Sequence, residues 1–325
     1  MPQKTSTVSA SQDGAIELAV EKLLLGNVIG VPTETVYGLA ADACNKKAVA
    51  SIYKIKSRPS FNPLICHVND FEMATKYIEV SPTAQKLMSA FWPGPLTIVS
   101  AAKPNSSIAP AISAGLNTLA VRCPNNEATR AIIKLLGRPV AAPSANPSGK
   151  LSPTTANSVF ASLDGKIPLI IDGGQTDIGI ESTIVAVEDK KITLLRPGSI
   201  SADEISDCTG LSVYDRDTTL VTAPGQLKSH YAPNSKVILN CRQPNCSTYV
   251  GFSDLEVERD LNLSPSGDLA EAAHNLFEFL READTRSNGT IAIAPIPNNG
   301  IGIAINDRLQ RAAAPRDNEI QDKPE

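Results

Sequence analysis

The chain has 325 residues, 42% of them hydrophobic and 4% aromatic, with a formal net charge of -4; this is ample apolar material for two folded domains and excludes a fibrous or disordered chain. Residues 1 to 210 carry 19 Lys and Arg against 18 Asp and Glu, and residues 211 to 325 carry 11 against 16. A basic coat for non-specific nucleic-acid binding is thereby excluded, and only a local cationic cleft stays open. No apolar run approaches the ~18 residues of a membrane span, and the N-terminal MPQKTSTVSASQDG lacks a signal peptide's apolar core, so a cytoplasmic protein without membrane contact is expected.

In chain order, the spacing predicts a helix capped by Ser11 and running to about Leu25, with Ile16, Leu18, Val20, Leu23 and Leu24 on its apolar side and Gly26 stopping it. The strand VIGV follows. NKKAVASIYKIK reads as a helix ended by Arg58-Pro59, and PLICHV, PLTIVSAA, TLAVRC, PVAAPS, PLIIDG, STIVAV and ITLLRP read as strands. Helices fit near 81 to 91, 125 to 136 and 154 to 163. So many short strands, not all separated by helices, predict an α/β domain over 10–210 with a mixed sheet.

The polar stretch at 211–235, with two prolines and a glycine, reads as an interdomain linker. Beyond it, strands KVIL, TYVGF and TIAIAPI alternate with a helix over about 268 to 284 and a last helix ending at RLQRAAA. Together they make a small open α/β domain over 236–314, and 315–325 reads as a charged tail.

Six cysteines are scattered without a CxxC, and only His67 stands beside one of them, Cys66. This is neither a zinc pattern nor a disulfide framework, so free buried thiols and no metal site are expected. Neither a P-loop nor a G-x-G-x-x-G occurs, so a nucleotide would have to be held by side chains.

The chemistry-bearing stretches sit at element ends. In GVPTETVYGLAAD, Thr33, Thr35 and Tyr37 share a face if the segment is extended. In KSRPSFNPL, the proline after Arg58 favours an extended backbone that aims Lys56 and Arg58 at one spot, with Asn62 nearby; a solvated basic helix end is the alternative. APSAN places Ser144 and Asn146 two apart at a strand's end, where α/β sheets bind ligands, although turn chemistry would use the same residues. Thr118, Arg122, Ser182 and Arg196 also fall at strand ends. His67 alternates with its apolar neighbours, on the opposite face of its strand. Arginines at such positions without an acidic partner nearby in sequence point to a polyanion.

Taken in order and spacing, PTETVYGL, KSRPSFNPL, SAN and ESTIV resemble the threonylcarbamoyl-AMP synthases with their YrdC-like domain. GGQTDIGIESTIV and LLRPG extend the resemblance to about residue 200, and APGQLKSHYAP with the C-terminal unit resembles the long two-domain form. The resemblance implies a YrdC-like twisted mixed sheet with flanking helices, joined by a linker acting as a lid to a smaller Rossmann-like domain. It implies a nucleotidyltransferase that makes L-threonylcarbamoyl-AMP from L-threonine, bicarbonate or CO2, and ATP, releasing pyrophosphate. That is the first step of threonylcarbamoyladenosine formation at tRNA position 37, completed by a separate transfer enzyme; a weak contact with tRNA is a further expectation.

Carried over by motif, Thr35, His67, Arg122, Ala142 and Ser182 would surround threonine. Arg58, Asn62, Thr118, Ser144, Ser152, Arg196 and Tyr231 would hold ATP, and Lys56, Arg58, Ser144 and Asn146 form the catalytic set. Glu34 and Glu181 are candidate helpers, and Mg2+ is expected to arrive with ATP rather than in a protein cage. The alternative function is a non-catalytic RNA-binding module that uses the same cationic cleft.

Overall fold

The computed structural model describes residues 4–216, 223–225, 229–242, 248–253 and 261–315. Its main sheet has eleven strands. In chain order these are β1 (Ser6–Ser9), β2 (Ile29–Val31), β3 (Gly38–Asp42), β4 (Ile65–His67), β5 (Leu96–Ala101), β6 (Thr118–Arg122), β7 (Val140–Ala141), β8 (Leu169–Asp172), β9 (Thr183–Glu188), β10 (Lys191–Arg196) and β11 (Val213–Asp215). Across the sheet they run β1-β8-β2-β3-β7-β4-β6-β5-β9-β10-β11. The sheet combines parallel pairs such as β4 with β6 and antiparallel ones such as β7 with β4, which is the expected mixed sheet.

Helices cover both faces. α1 (Ala15–Leu24) and α5 (Glu127–Leu136) bury Leu23, Ile132 and Ile133 against Ile29, Val31 and Ile171. On the other side, α2 (Lys46–Lys56), α4 (Pro82–Phe91) and α6 (Ala156–Leu163) bury Ile52, Leu87 and Val159 against Leu39, Cys66 and Val121. A short α3 (Phe71–Ala74) and α7 (Ala202–Thr209) complete this domain. Side-chain caps fix where the helices start: Asn45, Ser81, Asn126 and Thr155 each accept a backbone N–H, and Ser201 with Glu204 forms a capping box.

The second sheet is all parallel, in the order β12 (Lys236–Ile238), β14 (Thr290–Ile293), β13 (Tyr249–Val250). It packs with α8 (Leu269–Arg286) and α9 (Ile301–Ala313). This small core does not end at the domain: Val36, Leu151, Ile180 and Tyr231 are members of the same buried cluster as Leu276 and Phe277.

The structure corrects several expectations. α1 starts at Ala15 behind Gly14, whose φ of 79° breaks the chain there, so Ser11 is no cap, and Leu24 faces solvent at 56% exposure. Lys56 is the last helical residue and Ser57 is left-handed (φ 51°), so Lys56 and Arg58 do not share an extended face. Residues 32 to 37 bend instead of extending, because the Thr33 hydroxyl donates to the Val36 carbonyl at 2.6 Å. The stretch predicted as a linker begins as strand β11, paired parallel with β10. Of the cysteines, Cys66 and Cys123 are buried thiols, while Cys44, Cys208 and Cys241 are half-buried; Cys246 and most of the predicted tail lie outside the described residues.

Candidate active site

The strand ends of the main sheet and the segment leading to the second domain enclose one recess. Its wall includes Thr35, Arg58, His67, Arg122, Ala142, Ser144, Ser182, Arg196 and Tyr231 of the sequence-predicted set. Lys56, Asn62, Asn146 and Ser152 are buried directly behind that wall. Thr118 lies outside it: by register it shares a face with Arg122 on β6, about 13 Å further along the strand.

Arg122 organises one end. Its Nη1 donates to Thr35 Oγ1 (2.9 Å), its Nε donates to the Gly94 carbonyl (3.2 Å), and its Nη2 lies 2.7 Å from Glu34 Oε1. The sequence offered no nearby acidic partner for Arg122, yet the fold supplies Glu34. The pair is close but out of line, so Nη2 and both Glu34 oxygens make no hydrogen bond among the described residues. Thr33 spends its proton on Val36, so the 2.9 Å contact between the two threonines is a donation by Thr35. The Thr35 hydroxyl is thus oriented by a chain running from Arg122 through Thr35 and Thr33 to the Val36 carbonyl.

Tyr37 does not join this wall. It is buried in the core, where its hydroxyl donates to the Gly174 carbonyl (2.7 Å) and accepts from Gly173 N–H (3.0 Å).

The other end is cationic. Arg58 is locked by its own loop: Nε donates to the Asn62 carbonyl (3.1 Å), and Nη2 donates to Asn62 Oδ1 (2.6 Å) and the Pro63 carbonyl (2.7 Å). Arg196 donates from Nε and Nη2 to the Ser182 carbonyl (3.1 and 3.0 Å) and from Nη2 to Ser182 Oγ (3.2 Å). Among the described residues no carboxylate lies within ion-pair distance of Lys56, Arg58 or Arg196. Burial pulls the Arg58 pKa down to about 10 and lowers that of Arg196; Arg58 stays charged at neutral pH.

Lys56 does not line the recess and donates to the carbonyls of Ser144 and Asn146, both at 2.5 Å. Asn146 holds the same loop from inside, donating to the Pro147 (3.0 Å) and Lys150 (2.7 Å) carbonyls. Burial, then Arg58, drives the Lys56 pKa well below its ordinary value. The two residues fix the backbone that presents Ser144.

Burial, then Arg122, pushes the His67 pKa from 6.5 down to about 3, and its Nδ1 is buried without a hydrogen bond. The imidazole is therefore neutral, a hydrogen-bonding group and not a cation. Because the unfolded histidine binds a proton more readily, His67 supports the fold fully above pH 6.5 and that support is lost as pH falls towards 3. Urea unfolding of His67→Gln should show a shallower loss of stability on acidification than the parent, by about 1.4 kcal/mol per pH unit. An unchanged slope would contradict a neutral buried imidazole.

Of the far wall, sequence reasoning names Tyr231 and a linker acting as a lid, but not Pro224, Gly225 or His230 as site residues. Pro224, Gly225 and His230 line the recess with Tyr231, and together they leave a cavity of about 50 Å³, room for a few waters. Tyr231 is buried with a left-handed backbone (φ 59°), and its ring lies 4.0 Å from that of His230 and 5.5 Å from Phe277 of α8. Gly225 is required here: at φ 81° an added Cβ would stand 2.9 Å from the Tyr231 hydroxyl and 3.0 Å from Arg196 Cδ.

A mixed α/β sheet whose strand ends, with the loop after α2 and the segment leading to the second domain, gather three arginines, two histidines and a row of hydroxyls around one recess defines an enzyme for small, anionic, phosphate-bearing substrates. The family profile described as telomere recombination (Sua5/YciO/YrdC) matches residues 21–198, and the profile for the threonylcarbamoyl-AMP synthase C-terminal domain matches residues 200–314. The chain is 37% identical to a threonylcarbamoyl-AMP synthase of Pyrococcus abyssi, over 94% of this chain and 96% of that one, and 36% identical to one of Bacillus subtilis, over 94% and 95%. Its fold superposes on the crystal structure of P. abyssi Sua5 complexed with L-threonine with a TM-score of 0.86, at 34% identity and covering 96% of this chain and 98% of that one. The chain belongs to the threonylcarbamoyl-AMP synthase family.

Proposed function

We propose that this protein synthesises L-threonylcarbamoyl-AMP from L-threonine, bicarbonate or CO2, and ATP, releasing pyrophosphate, as the first step of threonylcarbamoyladenosine formation at tRNA position 37. The observation that carries the reading is one recess with a hydroxyl and guanidinium clamp at Arg122 and Thr35 beside the cations Arg58 and Arg196.

Threonine sits at the first end. The Arg122 guanidinium, whose Nη2 is ion-paired with Glu34 but makes no hydrogen bond among the described residues, takes the carboxylate; Thr35, Ser182, neutral His67 and the backbone at Ala142 surround the rest. The amine attacks CO2 to give a carbamate, losing a proton to solvent. A carbamate oxygen then attacks the α-phosphorus of ATP in line, and the bond to the β-phosphate oxygen breaks as pyrophosphate leaves. The protein's work is positioning and offsetting charge. Arg58, Arg196, Ser144 and Tyr231 hold the nucleotide directly, with Asn62 and Ser152 buried behind them, while Lys56 and Asn146 hold the Ser144 loop.

Both carboxylates of the site are ion-paired with arginines, Glu34 with Arg122 and Glu181 with Arg308, so magnesium would ride on the phosphates of ATP, where it offsets their charge. ATP cannot share a cavity of about 50 Å³ with the wall in place, since sites for such ligands run to ~300 Å³ or more. Pro224, Gly225, His230 and Tyr231 therefore act as a lid that withdraws for ATP and returns to shield the adenylate from water.

The product passes to a separate transfer enzyme acting on tRNA, in the cytoplasm; among the described residues no helix is long and apolar enough to cross a membrane. The RNA-binding alternative is not favoured: it leaves the threonine-side residues without a task.

Incubation with ATP, threonine and labelled bicarbonate should give a labelled adenylate, and Thr35→Ala should raise the threonine KM about tenfold while moving the ATP KM much less. Label incorporated without threonine would overturn the reading.

A further inference from the structure

Arg308, on α9 of the second domain, is the largest fully buried side chain of the described residues. Its Nε is 3.1 Å from Glu181 Oε2, its Nη2 donates to the Glu181 carbonyl (3.3 Å), and its Nη1 donates to the Pro197 carbonyl (2.6 Å) and to Asp307 (3.2 Å). The guanidinium carbon lies 5.6 Å from the centroid of the Tyr231 ring, a cation over an aromatic face.

Apart from Asp307, its neighbour on α9, each partner is a piece of the recess or adjoins one. Glu181 lines it, precedes Ser182, and accepts the Ser152 hydroxyl on its other oxygen. Pro197 follows Arg196. Burial pushes the Glu181 pKa up, yet Arg308 and then Arg196 more than reverse this, so the carboxylate is ionised. An ionised carboxylate on the wall of a triphosphate site repels the ligand unless a cation is fixed behind it. Arg196 makes no contact with Glu181 within ion-pair distance, and its fork is used on Ser182 and Pro224; Arg308 is the cation in direct contact and carries the larger share of the task.

We propose that Arg308 is a positioning residue for the nucleotide side of the active site: it neutralises Glu181 and pins Pro197 and Tyr231, so the second domain completes the site. This rests on the reading of the recess as an ATP site. Other polar links also cross to the core domain without reaching the recess wall, such as Thr154 and Ser158 donating to Glu278 (both 2.9 Å), so loss of Arg308 need not undock the domains.

The test uses the full chain and calorimetric binding of L-threonine and of α,β-methylene-ATP, whose α-β bridge cannot be cleaved. Arg308→Met should weaken binding of the analogue about tenfold and of threonine far less, and adding Glu181→Gln should restore the analogue to within about threefold of the parent. Equal weakening of both ligands, or no rescue by the second change, would overturn the proposal. Should Arg308→Met fail to fold, Arg308→Lys serves: it keeps the charge but loses the fork, so analogue affinity between that of the parent and tenfold weaker is expected, and parental affinity would overturn the proposal. Failure of the ATP reading itself would show separately, as no binding of the analogue by the parent.

Discussion

Arg122→Met is expected to abolish threonine-dependent turnover and to lower stability by about 3–5 kcal/mol, because it leaves the Glu34 carboxylate buried and unpaired. Both side chains are only 4% exposed, and their charges stand 2.7 Å apart. The same change cuts the chain of hydrogen bonds that orients Thr35. Urea denaturation reads the first effect, and threonine dependence of pyrophosphate release reads the second. The two separate in the double variant Arg122→Met with Glu34→Gln, which should regain most of the stability and none of the threonine use. A double variant that recovers turnover would mean that Arg122 serves only the fold.

Arg58→Ala should leave the fold near intact and cost about a hundredfold in kcat/KM, or about 3 kcal/mol of transition-state stabilisation. Arg58 has no ion-paired carboxylate to orphan, and its three hydrogen bonds go to its own loop, to the Asn62 and Pro63 carbonyls and to Asn62 Oδ1. Those bonds aim the guanidinium before any ligand arrives, and Nη1 is left without a protein partner among the described residues. Charge offset from a preorganised group is worth most where water is excluded, as beneath Tyr231 and Gly225. Steady-state kinetics with ATP varied at saturating threonine measures the loss; a less than threefold change would remove Arg58 from the chemistry.

The sheet was legible because its central strands are covered on both faces and so read as apolar runs: Ile65–His67, Leu96–Ala101 and Leu169–Asp172 fall within the runs predicted. β1 escaped notice since its mostly exposed edge residues, Ser6–Ser9, carry little apolar pattern. β3, Gly38–Asp42, is built of small residues that signal neither strand nor helix.

Within the recess, motif spacing pointed to individual side chains but not to what holds them. Glu34 and Arg122 are 88 positions apart, and Arg308 stands 127 beyond Glu181; no local period connects them, and only the register of the sheet and the docking of α9 bring them together. Lys56 shows the same limit in reverse. Two cations near each other in sequence suggested a shared target, yet the helix end turns Lys56 onto the Ser144 and Asn146 carbonyls and leaves Arg58 alone at the wall.

On the proposed reading the two ends of the recess serve one reaction, and pyrophosphate release by the parent protein decides whether they do. With ATP and magnesium present, release should require both L-threonine and bicarbonate and should fall to background when either is left out. Release that proceeds equally well without threonine would contradict a site built to join the two.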